Sequence, residues 1–214
     1  AHRSWTIKNL ARLTLVMTLL WVSLLVQADP DAAATYQSCA VCHGEIGQGN
    51  VELGAPALAG QGAQYLERQL QYFKSGVRGA DPRDTQGLQM QAMADTLADE
   101  DIPAVAAYLS GLPPAVPAGV PKGDLKNGNN YYQSKCGACH GGQAQGNSGL
   151  NTPALSMLNG IYLKQQFQSF QQGLRGTHPE DKYGRQMKMM SSSLPADKDL
   201  DDVIAYIQSM AKPL

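Results

Sequence analysis

Cys39-Ala40-Val41-Cys42-His43 decides how the chain is read, because the pattern returns as Cys136-Gly137-Ala138-Cys139-His140. C-x-x-C-H is the attachment pattern of c-type haem: two thiols capture the porphyrin vinyl groups and the adjacent histidine ligates the iron. A single helical turn presents both sulfurs and the imidazole along one edge of the macrocycle. The two copies use all four cysteines of the chain. A shared four-cysteine zinc site leaves the histidine after each pair unexplained. A thioredoxin-like redox pair needs a βαβ context that the pattern lacks, and two disulfides satisfy composition alone. The motifs therefore predict two covalently bound haem c groups, tethered by Cys39, Cys42, Cys136 and Cys139, with His43 and His140 on the irons.

Outward from the cysteines the two halves remain in register. The offset of 97 carries Pro56 onto Pro153, Leu58 onto Leu155, Tyr65 onto Tyr162, Phe73 onto Phe170 and Arg78-Gly79 onto Arg175-Gly176. Met90 falls on Met187, Met93 on Met190 and Leu97 on Leu194; one inserted residue then pairs Tyr108 with Tyr206. This is duplication of a one-haem unit, since two copies are too few for a solenoid. The expected organisation is a first unit at 29–111, a Pro-rich linker at 112–122 and a second unit at 123–214. Four prolines between Leu112 and Pro121 predict an extended, semi-rigid connector that restricts how the units meet.

Each unit reads as helical. Ala32 to Ala40 and Asn127 to Ala138 can form the helix that carries the motif. Leu66, Leu70 and Phe73 repeat as Leu163, Phe167 and Phe170, an apolar stripe at helical spacing. The last helix of each unit opens with acids, Asp99-Glu100-Asp101 and Asp197-Lys198-Asp199, suited to an N-cap and the helix dipole. Its core face is Ile102, Val105, Ala106 and Leu109, then Leu200, Val203, Ile204 and Ile207, in the i, i+3, i+4, i+7 pattern. No period-2 run of strand formers appears, so the predicted class is all-α.

Lys and Arg total 17 against 18 Asp and Glu, a balance that gives no sign of nucleic acid as a partner. Aromatics are sparse at 7%, and units under ~100 residues bury little surface alone; haem supplies the missing apolar centre. Charge is nonetheless divided: residues 29–120 hold 11 acids and 4 bases (net −7), and 121–214 hold 7 acids and 10 bases (net +3). A dipolar carrier of this kind orients itself on approach to charged partners.

Residues 1–28 read as a signal-like segment or a membrane anchor. Arg3, Lys8 and Arg12 form a basic start without acids, an apolar run follows from Leu13 to Val26, and Val26-Gln27-Ala28 resembles a cleavage site. Uncleaved, residues 10–28 make an N-terminal apolar helix about 28 Å long, enough to cross a bilayer. Cleaved, the protein is soluble and periplasmic. Either way the charge bias places the haem units on the outer side.

The second axial ligand follows from the histidine count. Of four histidines, His2 precedes the apolar run and His178 is matched by Asp81, so the first unit has no second histidine. Methionine is the expected sixth ligand, and Met/His ligation raises the reduction potential. Met90 and Met93, with Met187, Met189 and Met190, are candidates that spacing alone does not separate.

The order C-x-x-C-H, Ala55-Pro56-Ala57-Leu58-Ala59-Gly60-Gln61, Tyr65-Leu66-x-x-Gln69-Leu70, Gly76-x-Arg78, Met90-x6-Leu97-Ala98-Asp99-Glu100-Asp101-Ile102 resembles class I cytochromes c. Two copies in one exported chain resemble the cytochrome c4 family of dihaem electron carriers, across residues 30–212. The resemblance implies that Met90 and Met187 complete the iron ligation. It also implies that the carbonyls of Pro56 and Pro153 accept a bond from the haem histidines. The chain departs from the pattern at Leu155-Ser156-Met157-Leu158-Asn159-Gly160, and an uncleaved anchor is unusual for such a carrier. The implied function is respiratory electron transfer from a quinol-oxidising cytochrome bc complex to a terminal haem–copper oxidase, without a small-molecule substrate. The alternative is the dihaem electron-accepting subunit of a flavocytochrome sulfide dehydrogenase or similar periplasmic enzyme. A dihaem peroxidase, the third class, requires an iron with an open site.

Overall fold

The computed structural model describes residues 30–117, 122–194 and 197–211. The N-terminal apolar helix expected of residues 1–28, with its signal or anchor role, lies outside the described residues. No helix among them is long and apolar enough to cross a membrane.

The described residues form an all-α fold of two helical units. The first contains α1 (Pro30–His43), α2 (Ala63–Lys74), α3 (Thr85–Ala94) and α4 (Asp101–Gly111). The second opens with α5 (Leu125–Tyr131), which passes through a π-helical turn at Tyr132–Cys136 into α6 (Gly137–His140). A 3-10 turn at Ser148–Leu150, α7 (Gly160–Gln171), α8 (Lys182–Ser191) and α9 (Asp197–Ser209) complete it. Among the described residues the only strand-like pairings are the isolated bridges Asn50–Ala55 and Asn147–Thr152. Each ends just before a haem-site proline.

The motif helix packs against the last helix of its unit, α1 on α4 and α5 on α9. The predicted core faces are all buried: Ile102, Val105, Ala106 and Leu109 in α4, and Leu200, Val203, Ile204 and Ile207 in α9. A fully buried tyrosine anchors each crossing. Tyr36 lies 5.9 Å from the Tyr108 ring and Tyr132 lies 5.7 Å from the Tyr206 ring, both tilted, an arrangement aromatic pairs favour. Their hydroxyls donate to the carbonyls of Gly44 and Gly141, each at 2.6 Å, which pins the residue after each haem histidine. These tyrosines stand 96 residues apart, not 97. The second unit has one more residue between tyrosine and cysteine, and the π-helical turn absorbs it.

The acids at the start of the last helices act differently from the expected N-cap. Glu100 makes no side-chain capping bond. Asp99 instead pairs with Lys74 of α2 at 2.7 Å, and Asp199 accepts from Asn127 of α5 at 3.0 Å. These two acids bond to neighbouring helices, while Asp101, Asp197 and Asp199 all stand in first turns, where the helix dipole favours them. At the Arg-Gly pairs the glycine is obligatory. Gly79 (φ +83) and Gly176 (φ +77) are left-handed, and a Cβ there would sit 2.4 Å and 2.3 Å from the carbonyl oxygens of Gly87 and Gly184.

The units meet through α2 and α7 and the loops before them. Ala57, Met157 and Leu158 form a buried cluster, against which Ala115 of the connector and Tyr162 pack. Gln61, the repeat equivalent of Leu158, pairs with both backbone groups of Ala154: it accepts from the N–H at 2.8 Å and donates to the carbonyl at 3.0 Å. The departure Ser156-Met157-Leu158 is thereby explained. One side of the contact is apolar where its mirror position is hydrogen-bonded.

Candidate haem sites and the contact between them

In each unit the helix ending in the motif delivers the histidine onto a proline carbonyl. His43 is buried, with Nδ1 at 2.8 Å from the Pro56 oxygen, and His140 Nδ1 lies 3.0 Å from the Pro153 oxygen. A carbonyl only accepts, so Nδ1 carries the proton and Nε2 keeps its lone pair for a metal. Burial pushes both imidazoles below the usual histidine range, against the opposing pull of the carbonyl bond. Burial prevails, and the downward shift favours the neutral ring, the ligating form.

Cys39 and Cys136 are half-buried, Cys42 and Cys139 are exposed, and no disulfide joins any of the four. Among the described residues no cluster of three or more His, Cys, Asp or Glu forms a metal site, so the pairs do not converge as a zinc centre would require. A mainly apolar cleft is lined by Cys136, Cys139, His140, Leu155, Met187 and Met190 of the second unit, with Tyr65, Arg68 and Gln69 of the first also on its lining. Two thiols and an imidazole on one wall, with a thioether sulfur on the lining, match the donors of a covalently attached haem.

The methionines lie on α3 and α8, helices that the sequence reading left unassigned. Each is capped by an aspartate: Asp84 accepts from the Gly87 N–H at 2.9 Å and Asp181 from the Gly184 N–H at 2.7 Å. An Asp-x-x-Gly step six residues before each of Met90 and Met187 was the available signal. Met90 and Met187 are half-buried, whereas Met93, Met189 and Met190 are 42%, 70% and 40% exposed.

A polar network that sequence reasoning did not assemble spans the two units. The Arg78 guanidinium donates to Gln69 at 2.6 Å, and across the contact to the Tyr162 hydroxyl at 3.2 Å and Gln166 at 2.9 Å. Arg175 mirrors it, donating to Gln166 at 2.7 Å, Tyr65 at 3.3 Å and Gln69 at 2.9 Å. Each guanidinium also rests on an aromatic face, Arg78 over Phe73 at 4.4 Å and Arg175 over Phe170 at 4.6 Å. Burial pushes the Tyr65 hydroxyl up, but Arg175 and Arg78 outweigh it and hold the group below the usual phenol range. The signal was present in sequence: polar Tyr, Gln and Arg recurring at the repeat offset beside an apolar stripe. Self-complementary pairing of this kind characterises a two-fold interface, here between two halves of one chain.

Two successive all-α units, each carrying a C-x-x-C-H helix with its histidine fixed on a proline carbonyl, define a dihaem c-type cytochrome. The Cytochrome c family model matches residues 31–113 and again 125–211. Over 215 residues the chain is 30% identical to cytochrome c4 of Azotobacter vinelandii, covering 94% of this chain and 99% of that one. It is 31% identical over 195 residues to the thiosulfate dehydrogenase electron acceptor of Stutzerimonas stutzeri strain A1501, covering 86% and 82%. The crystal structure of reduced recombinant cytochrome c4 from Pseudomonas stutzeri superposes with a TM-score of 0.66 at 28% identity, over 83% of this chain and 96% of that one. The chain belongs to the cytochrome c family and, within it, to the dihaem cytochrome c4 proteins. It binds two haem c groups through the paired motifs and transfers electrons; it is not an enzyme.

Proposed function

We propose that this dihaem carrier works on the periplasmic face of the bacterial inner membrane, taking electrons from a quinol-oxidising cytochrome bc complex and delivering them to a terminal haem–copper oxidase. His43 and Met90 ligate the first iron and His140 and Met187 the second, while Pro56 and Pro153 hold the imidazoles in place. Haem supplies the one-electron couple; the chain fixes the ligands and excludes water. The observation that carries the ligand assignment, and with it the carrier reading, is that Met90 and Met187 are half-buried where Met93 and Met190 are exposed. With both irons six-coordinate there is no open position for peroxidase chemistry.

A second reading is supported by the relative described as a thiosulfate dehydrogenase electron acceptor: this chain would accept electrons from a periplasmic enzyme of that kind. The test is stopped-flow reduction of the oxidised holoprotein. A bc complex supplied with quinol should reduce both haems within turnover time, and onward oxidation by a haem–copper oxidase should follow. Fast reduction by thiosulfate dehydrogenase with thiosulfate, and none by the bc complex, would transfer the assignment to the second reading. High-spin five-coordinate iron in the resting protein would overturn both.

A further inference from the structure

The repeat is broken at one place where the units touch. Arg68 stands on α2 of the first unit, and its repeat equivalent on α7 is Gln165. Arg68 lines the cleft of the second unit. Its guanidinium donates to the Asn151 carbonyl at 2.7 Å and to Asn151 Oδ1 at 3.3 Å, and lies 4.6 Å from the Tyr183 ring centroid. Asn151 Nδ2 in turn donates to the Tyr183 hydroxyl at 2.9 Å. One cation of the first unit thus fixes two elements of the second.

Both elements carry haem ligation. Asn151, held left-handed at φ +56, lies two residues before Pro153, the carbonyl on which His140 rests. Tyr183 lies one turn before Met187 on α8. The guanidinium therefore ties the histidine-side loop to the methionine-bearing helix. Among the described residues the first unit has no such tie. At the equivalent positions it has Gly54 for Asn151 and Gln86 for Tyr183, and Gln165 stands in place of the arginine. The Gln165 carbonyl oxygen is buried without a partner among the described residues.

We propose that Arg68 is a cross-unit positioning residue for the second haem: docking of the first unit holds Met187 on its iron and adds one positive charge to that cleft alone. This rests on Met187 being the sixth ligand. The charge disfavours the ferric state, which carries one more positive charge than the ferrous state, and so raises the second haem's potential. The tie through Tyr183 slows departure of the methionine. Both effects fall mainly on the second haem, whose cleft Arg68 lines.

The test uses the full-length holoprotein with Arg68→Gln, which installs the first site's residue type, and with Arg68→Lys and Tyr183→Phe. The two midpoint potentials are read by spectroelectrochemical titration. Methionine ligation is read from the charge-transfer band during imidazole titration. The midpoint belonging to the second haem is identified by its fall in Met187→Ala. Arg68→Gln should lower that midpoint, leave the other unchanged, and let imidazole displace one methionine about tenfold more readily, the scale of one charge-assisted hydrogen bond. Arg68→Lys should restore the midpoint without restoring resistance to imidazole, because the charge returns and the fork does not. Tyr183→Phe should weaken resistance with the midpoint held. Equal shifts of both midpoints, or wild-type midpoints and imidazole affinity in Arg68→Gln, would overturn the proposal. Loss of no methionine band in Met187→Ala would overturn the ligand assignment beneath it, a separate outcome.

Discussion

Gly128→Ala should destabilise the second unit although alanine is the better helix former. Gly128 lies in α5, where replacing glycine gains about 1 kcal/mol of propensity. The site opposes this. A Cβ would lie 2.0 Å from the Asp202 carbonyl oxygen, 2.6 Å from its carbon and 2.9 Å from Tyr206 Cβ. Ordinary contact begins near ~3.5 Å, so α5 must retreat from α9 by roughly 1.5 Å. That seam holds the Tyr132–Tyr206 ring pair and the bonds from the Asp124 N–H and Asn127 to Asp202, at 2.7 and 2.8 Å. Overpacking costs about 1–3 kcal/mol, and stretching a bond to a charged acceptor adds about 1.5 kcal/mol. Net of propensity, the loss is about 2 kcal/mol. Urea unfolding of the holoprotein, followed by far-ultraviolet circular dichroism, measures it as a lower midpoint at unchanged slope. Gly111→Ala is the control, since nothing lies within 4 Å of a Cβ there. If Gly128→Ala matches or exceeds wild-type stability while Gly111→Ala does the same, the close crossing of α5 and α9 is refuted.

Replacing Met90 or Met187 with alanine should remove one share of the methionine–iron charge-transfer band and lower that haem's potential, whereas Met93→Ala and Met190→Ala should keep the band; near-infrared absorption and redox titration decide. Loss of the band in the latter pair would place the ligand one helical turn later. Asp202 is held down to about 2 by the bonds from Lys198, Asn127 and the Asp124 N–H. A depressed carboxyl stabilises the fold above its unfolded value, near ~3.9, and loses that contribution as pH falls through about 2. The stability gap between wild type and Asp202→Asn, measured by urea midpoints, should therefore be constant above about pH 5 and close between about pH 4 and 2. A gap that stays constant to pH 2 would refute it.

The class of fold was legible because the same helical period recurs in both halves of the chain. Leu200, Val203, Ile204 and Ile207 define a face whatever they pack against, and C-x-x-C-H names its chemistry without a structure. The contact between the units was not legible. Gln61 and Leu158 occupy equivalent positions and look like a local departure until the fold sets Gln61 on the Ala154 backbone and Leu158 beside Ala57. The arginines were visible as motif residues, but their partners are 84 to 110 positions away, beyond the reach of any local period. The π-helical turn escaped for a different reason. Matching cysteine to cysteine hides an insertion three residues upstream, and only the paired burial of Tyr36 and Tyr132 reveals it.

Duplication has left the interior of this molecule nearly symmetric and its outside not. Inside, His43 and His140, Asp84 and Asp181, and Arg78 and Arg175 repeat their roles bond for bond. Around the first motif, Val41 and Ile46 stand 79% and 67% exposed beside Glu45 and Glu52; the second unit has Ala138, Gln143, Gly142 and Gly149 at those places. The first unit is acidic and the second basic. A carrier whose two ends were alike would present one surface to donor and acceptor, and either haem would serve either partner. Here the surfaces differ in charge and apolar content, the properties by which a partner can tell one end from the other. The buried polar contact joins the two haem units through mirrored bonds, so the asymmetry that distinguishes them lies outside it.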